Sequence, residues 1–215
     1  MNKQIALFQN HPECSRQCCD GMITALSKSY DVTIFHKQDD FDAVLAKADI
    51  VAFPGGIGDA DTYHRFFRRR NVDKIVNFVA GGGYYLGICM GAYWAGKNYF
   101  DLLEHDVDAV QYIKRPGTDC RRPYSTVIPI KWDGIEHQMF FYDGCAFTGN
   151  ANHFTSVATY ANGDPMAIIQ NRLGLIGCHP ESTPYFYKPK YIKDHWHNGK
   201  HHDLLVDFVD RLVSN

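Results

Sequence analysis

The sequence predicts an α/β fold: a mostly parallel central sheet with helices on both faces and an antiparallel extension in the second half. Three observations carry this. Short apolar runs alternate with helical patterns through the first half, the mark of parallel strands joined by crossover helices. In the second half, two-residue alternation and turn signals at Asp133-Gly134 and Asn162-Gly163-Asp164-Pro165 point to hairpins. A final apolar run and an amphipathic segment, between Leu173 and Val213, close the chain.

Ile5 to Phe8 is the first expected strand. Ser15 to Ser27 carries Cys19, Met22, Ile23 and Leu26 at helical spacing, with Ser15 as N-cap. Asp31 to Phe35 is short and β-branched, a second strand, and Phe41, Val44, Leu45 and Ala48 mark a second helix. Ile50 to Phe53 is a buried strand running into Pro54-Gly55-Gly56. Asn71 to Ala80 is helical in pattern, and Tyr84 to Ile88 is a fourth strand. Thr126 to Trp132 and His137 to Tyr142 alternate as a hairpin, followed by strands at Ser156 to Tyr160, Met166 to Gln170 and Leu173 to Cys178. Asp203 to Val213 spaces Leu204, Leu205, Phe208, Val209 and Leu212 as a closing amphipathic helix. With 215 residues, no repeats and no linker, residues 1–215 are read as one domain.

Composition excludes several classes. With 22 Lys plus Arg against 24 Asp plus Glu, the net charge is −2, so binding of nucleic acid through bulk positive charge is not expected. At 45% hydrophobic and 21% charged residues, the chain is not of disordered type. Ile75 to Gly96 is uncharged over 22 residues and long enough to span a bilayer. Gly81-Gly82-Gly83 breaks it, and it reads instead as a helix end, a turn, a buried strand and a second helix start. No membrane association is expected. Met1 to Phe8 has too short an apolar run for a secretory signal. Seven cysteines form no regular framework, which fits a reduced, cytoplasmic setting.

Chemistry concentrates at Gly87-Ile88-Cys89-Met90-Gly91, between a strand and an expected helix. A nucleophile on a tight strand-to-helix turn takes strained backbone angles, so the residues two positions away must be tiny. The helix start offers free N–H groups and a positive dipole end that stabilise a thiolate. The N–H of Met90 is one expected oxyanion donor, and Gly55 or Gly56 brings the second. A thiolate needs a base and the base an orienting group. His179-Pro180-Glu181 follows the last apolar strand. Strand C-terminal ends gather on one edge of a parallel sheet, so Cys89 and His179 are expected to meet there. His179 takes the thiol proton and Glu181 holds the imidazole. The competing readings are a buried cysteine in a glycine contact and a capping His-Pro turn.

Phe53-Pro-Gly-Gly56, Gly87-Ile-Cys-Met-Gly91 and Gly177-Cys-His-Pro-Glu181 resemble the three signatures of class I glutamine amidotransferase-like domains, in order and spacing over nearly the whole chain. Within that superfamily the chain most resembles the biotin-protein ligase N-terminal-domain family, through Gly87 to Tyr93 and Phe141-Tyr-Asp-Gly144. The resemblance implies a flavodoxin-like sheet, a Cys89-His179-Glu181 triad, and substrate-binding positions at Tyr93, Tyr142, Asp143 and Gly144. No glycine- and arginine-rich biotinyl-adenylate loop is present, so a biotin ligase domain is not expected in these residues. In the amidotransferases the nucleophile motif continues Gly-His-Gln. Here Gly91 is followed by Ala92-Tyr93, and glutamine is expected to be a poor substrate.

Other patterns carry less. Gly91 to Asn98 nearly matches a phosphate-binding loop, but Asn98 lacks the hydroxyl for Mg²⁺ and Tyr93 and Trp94 crowd it; an aromatic helix packed on the sheet is expected. Gly81 to Gly87 fails as a dinucleotide fingerprint because Leu86 takes the third glycine position. His195, His197, His201 and His202 have spacing that suits Zn²⁺ or Ni²⁺, but a solvated loop before the last helix is the expectation. Cys14-x₃-Cys18-Cys19 lacks a second pair, so no zinc site is expected. The basic clusters at Arg68 to Arg70, Lys114-Arg115 and Arg121-Arg122 read as exposed charge.

The expected function is cysteine-dependent hydrolysis or acyl transfer at an amide C–N bond, on a small-molecule amide or acyl substrate, without metal or organic cofactor. Transfer would need a separate synthetase or ligase partner. Two alternatives stay open: a non-catalytic module that binds a ligand or partner, and a cysteine peptidase on the same scaffold.

Overall fold

The apolar runs of the first half become adjacent parallel strands. In the computed structural model, which describes residues 2–10, 14–56 and 60–214, the order is β1 (Gln4–Phe8), α1 (Arg16–Leu26), β2 (Asp31–Phe35), α2 (Phe41–Leu45), β3 (Ile50–Phe53), α3 (Tyr63–Phe66), α4 (Arg69–Ala80), β4 (Tyr84–Ile88) and α5 (Met90–Tyr93). The second half adds β5 (Asp108–Gln111), β6 (Thr126–Trp132), β7 (Ile135–Phe141), β8 (Cys145–Thr148), β9 (Thr155–Tyr160), β10 (Pro165–Gln170), β11 (Leu173–Ile176) and α6 (Lys200–Ser214).

Nine strands form one sheet, ordered β2-β1-β3-β4-β11-β10-β9-β6-β7. The first five are parallel and the rest antiparallel, which is the predicted mixed architecture. The last strand, β11, inserts beside β4 with Ile176 opposite Ile88, and β3 lies on the other side of β4 with Phe53 opposite Gly87. The segments leaving β3, β4 and β11 therefore emerge together.

Strands buried on both faces carry continuous apolar runs because successive side chains point to opposite sides. Along β1, Ile5 and Leu7 join the core under α1 and α6 with Met22, Leu26 and Phe208, while Ala6 and Phe8 join the opposite core. That second core is aromatic: Phe53 stacks on Tyr85 with centroids 5.2 Å apart, and Phe67 and Trp94 pack edge to face at 5.5 Å. Ser15 caps α1, its hydroxyl accepting from the Cys18 N–H.

The uncharged stretch divides as the glycines dictate, into the end of α4, a turn, β4 and α5. Among the described residues no helix is long and apolar enough to cross a membrane. Two expectations need correction, and one strand pair was missed. The aromatic helix expected from Gly91 to Asn98 is one turn, Met90–Tyr93, after which the chain folds back with the Phe100 N–H on the Trp94 carbonyl. The second helix stops at Leu45 rather than Ala48. β5 and β8, not predicted, pair antiparallel in a separate two-stranded sheet.

Candidate active site

Cys89 follows β4 directly and takes φ 51° and ψ −105°, backbone angles that cost a non-glycine residue energy. The flanking glycines show why the motif is G-x-C-x-G. A Cβ on Gly87 would stand 2.4 Å from the Gly91 carbonyl oxygen, and one on Gly91 would stand 2.1 Å from that of Phe53. The turn is pinned by the Cys89 N–H on Ile176 O (2.7 Å), the Gly91 N–H on Pro54 O (3.2 Å) and the Tyr85 hydroxyl on Gly91 O (2.6 Å). Because α5 is a single turn and its Gly91 N–H is spent on Pro54 O, the N–H of Met90 at its start, and not a long helix dipole, is what it offers a thiolate. The Cys89 thiol is nearly buried and donates to the Tyr142 carbonyl at 3.6 Å.

His179 sits just beyond β11, its N–H donating to Phe140 O at 3.1 Å. Its Nδ1 donates to Glu181 Oε1 at 2.8 Å, and both side chains are buried. That bond leaves Nε2 as the nitrogen available to Cys89. Burial alone would push the imidazole pKa down. The charges of Glu181 and Cys89 and hydrogen bonds with Cys18 and Cys89 outweigh it, so the pKa is raised well above the ordinary value. Glu181 Oε2 is buried and accepts no hydrogen bond among the described residues.

Two cavities flank these groups. One, of about 560 Å³, is lined by Cys89, Met90, Tyr93, Tyr142 and Asp143. The other, of about 440 Å³, is lined by Cys18, Phe140, Phe186 and His179, and the two share Gly56 and Tyr142. The Tyr93 phenol, kept neutral by burial, donates to the Asp143 carbonyl at 3.3 Å, and Gln111 reaches the Asp143 carboxylate at 3.3 Å. Gly55 and Gly144 line neither cavity. A Cβ on Gly55 would meet His179 Cε1 at 2.6 Å, and one on Gly144 would meet Gly177 O at 2.0 Å, so both are close backbone approaches that seat their neighbours.

Comparison with solved structures matches the fold over the whole chain. The chain has the fold of the class I glutamine amidotransferases. It aligns with a glutamine amidotransferase of Thermotoga maritima at TM-score 0.71 and 12% identity, over 100% of both chains. It aligns with a glutamine amidotransferase of Methylobacillus flagellatus at TM-score 0.57 and 13% identity, over 87% of this chain and 73% of that one. Residues 9–111 match the family described as biotin-protein ligase, N terminal. An uncharacterized protein of Chlamydia muridarum (strain MoPn / Nigg) is 32% identical over 166 residues, 64% of this chain and 62% of that protein. The chain thus spans under two thirds of that relative.

On this amidotransferase-like fold the structure adds Cys18, which the sequence placed only in a rejected zinc pattern. Its Sγ lies 4.0 Å from His179 Nδ1, and the candidate ligand atoms of Cys18, His179 and Glu181 all lie within 4.8 Å of one another. Burial raises the Cys18 pKa, so the sulfur stays a thiol beside the imidazole. Cys14 and Cys19 are not part of that group; Cys19 donates to Phe8 O at 3.6 Å. The signal in the sequence was Gly21, a glycine inside a helix, which marks a close approach. It shares a face of α1 with Cys18, and that face packs on Glu181.

The C-terminal histidines are not a solvated loop. His195 is exposed, but His197 and His201 are buried and their rings stack 4.1 Å apart. His197 Nε2 and His202 Nε2 donate to the Ser182 carbonyl at 3.1 and 3.0 Å, and His197 Nδ1 accepts from the His201 N–H. Both His197 nitrogens are committed in the neutral tautomer. Burial and neighbouring histidines lower its pKa to about 4 and that of His201 to about 3. The cluster braces the residue next to Glu181.

Proposed function

We propose that the protein cleaves an amide C–N bond by cysteine chemistry, as a hydrolase or acyl transferase. The reading rests on one observation: a strained Cys89 at the end of β4 and a buried His179–Glu181 pair, 2.8 Å apart, leave neighbouring parallel strands at the same edge. The glutamine amidotransferase named among the similar structures supports the same bond class.

His179 takes the Cys89 proton, and the thiolate adds to the amide carbon while the carbonyl π pair moves to oxygen. The N–H groups of Met90 and Gly56, or of Gly55, hold that oxyanion. Collapse breaks the C–N bond, the nitrogen takes the proton from His179, and the amine leaves a thioester on Cys89. Water, giving its proton to His179, or an acceptor amine then releases the acyl group and restores the thiol. Glu181 keeps Nδ1 protonated and balances the imidazolium. These steps use only the chain's own residues; transfer would add a separate synthetase or ligase partner. Ala92-Tyr93 supplies no side-chain amide to grip glutamine, so the substrate is another amide.

The test is alkylation of Cys89 by limiting iodoacetamide, followed by turnover of an amide panel by native protein and Cys89→Ala. A selectively reactive Cys89 and turnover that Cys89→Ala abolishes are expected; an inert Cys89 overturns the reading. A second reading, a non-catalytic binding module, draws on the Cys89 thiol resting on the Tyr142 carbonyl, and the inert result would favour it.

A further inference from the structure

The candidate dyad is divided between two cavities. Cys89 opens into one and His179 into the other, with Gly56 and Tyr142 between. When a thiolate cleaves an amide, the acyl carbon bonds to sulfur and the departing nitrogen takes its proton from the imidazole. The acyl half of the substrate therefore lies in the Cys89 cavity and the amine half in the His179 cavity.

The two cavities differ in chemistry. The Cys89 side presents Asp61, Lys97, Asp108, Gln111 and Asp143, and its own rings, Tyr93 and Tyr99, carry hydroxyls bonded to Asp143 and Asp61. The His179 side is walled by rings. Phe140 and Phe186 pack on the imidazole with centroids 5.7 and 6.0 Å away, and on each other at 5.0 Å. Tyr142 and Tyr185 stand at its mouth, 37% and 50% exposed. Lys188, also at the mouth, holds its ammonium 3.9 Å from the Tyr185 ring centroid. Exposed rings gathered around a cavity mark a binding surface, and ring walls favour a ring as occupant.

We propose that the His179 cavity is a leaving-group site for an amine bearing an aromatic group, so that the substrate is a secondary amide joining a polar acyl half to an arylalkyl amine. This rests on the amide-cleavage reading. The products are the polar acid and the arylalkyl amine, with water as the co-reactant. Ammonia, the leaving group of a primary amide, would leave the ring-walled cavity empty.

Binding tests this without knowledge of the acyl half. N-acetylphenethylamine and N-methylacetamide are titrated into Cys89→Ala protein by NMR, and both are tested for slowing iodoacetamide alkylation of Cys89 in native protein. The aromatic amide should bind at least about tenfold more tightly, should alone protect Cys89, and should weaken by a similar factor in Phe186→Ala and in the surface variant Tyr185→Ala. Equal binding of the two amides, or binding unmoved by both variants, overturns the proposal. A reactive Cys89 that the aromatic amide neither binds beside nor protects leaves the cleavage reading standing and removes this one. Aromatic binding beside an inert Cys89 removes the cleavage reading and the leaving-group role with it.

Discussion

Gly21 of α1 and Glu181 are in backbone contact: a Cβ on Gly21 would stand 2.4 Å from the Glu181 carbonyl oxygen and 3.1 Å from its Cγ. Glu181 is thereby seated by a helix that begins far from it in the chain. Gly21→Ala should gain the roughly 1 kcal/mol by which alanine exceeds glycine in a helix and lose about 1–3 kcal/mol to overpacking. The expected outcome is a protein no more stable than wild type in urea, with slower Cys89 alkylation because His179 loses its support. A variant about 1 kcal/mol more stable with unchanged alkylation would contradict the contact.

Cys89 should be alkylated first. All seven cysteines are free and buried. Burial holds the Cys18, Cys120, Cys145 and Cys178 thiols above their ordinary pKa and pushes Cys19 up to about 12. Cys89 abuts a cavity, and on the proposed chemistry His179 Nε2 accepts its proton, whereas Cys18 faces Nδ1, whose proton is already given to Glu181. Peptide mapping after limiting iodoacetamide at neutral pH should find label at Cys89 before the other six; uniform labelling would sink the elbow assignment.

The three candidate catalytic side chains should not be equivalent. Cys89→Ser and His179→Ala should each cost at least about a hundredfold in turnover, the low end of what positioned proton transfer contributes. Glu181→Gln should cost less, because the base survives with poorer orientation. Unchanged turnover in His179→Ala would end the triad.

Acid should unfold this protein early, through His197 and His201. Their folded pKa values, about 4 and about 3, lie below the ordinary 6.5. A depressed folded pKa contributes stability that is complete above the unfolded value and disappears as pH falls through the folded one. The loss should begin near pH 6.5 and total a few kcal/mol by about pH 3. His179, with its raised pKa, acts with the opposite sign: its contribution becomes complete as pH falls past the ordinary 6.5, so it opposes the decline only near the top of that window, and equally in wild type and His201→Phe. The salt-bridged carboxyls Asp106 and Asp164, whose pKa values are lowered, act below the ordinary carboxyl range. Urea unfolding of His201→Phe between pH 6.5 and 4 should show a shallower decline than wild type; parallel curves would refute the assignment.

Free glutamine should be a poor substrate. Ala92 is buried and has no polar side chain, and the Tyr93 hydroxyl is spent on the Asp143 carbonyl. A missing polar partner costs about 1–3 kcal/mol. Ammonia release from saturating glutamine should stay well under about 1 s⁻¹, the lower end of ordinary enzyme rates; Cys89-dependent release at or above that rate would show that Ala92-Tyr93 does not exclude it.

What the sequence revealed follows from the range of the forces involved. β1, β3, β4 and β11 were legible because strands buried on both faces need unbroken apolar runs, and the elbow because only glycine fits on either side of Cys89. β5 was not, since Asp108 to Gln111 holds no apolar run and is only partly buried, and β8 was missed with it because the two pair in a sheet apart from the main one. The contact of Cys18 with His179 and Glu181 was not legible because it arises only through the packing of α1 on the 179–181 turn. The histidines near the C-terminus misled because their chain neighbours, Lys193, Asp194, Asn198 and Lys200, are polar. Their burial comes from Trp196, Tyr187 and the Ser182 carbonyl, contacts that local composition does not encode.

The insertion of β11 beside β4 has a consequence for the newly made chain. Ile88 and Ile176 come from opposite halves of the sequence, and closing so long a loop is slow and entropically costly. During synthesis the segment bearing Cys89 is finished long before His179 exists. On the proposed chemistry the thiol acquires its partner only when the final strand docks, so reactivity at Cys89 should report completed folding.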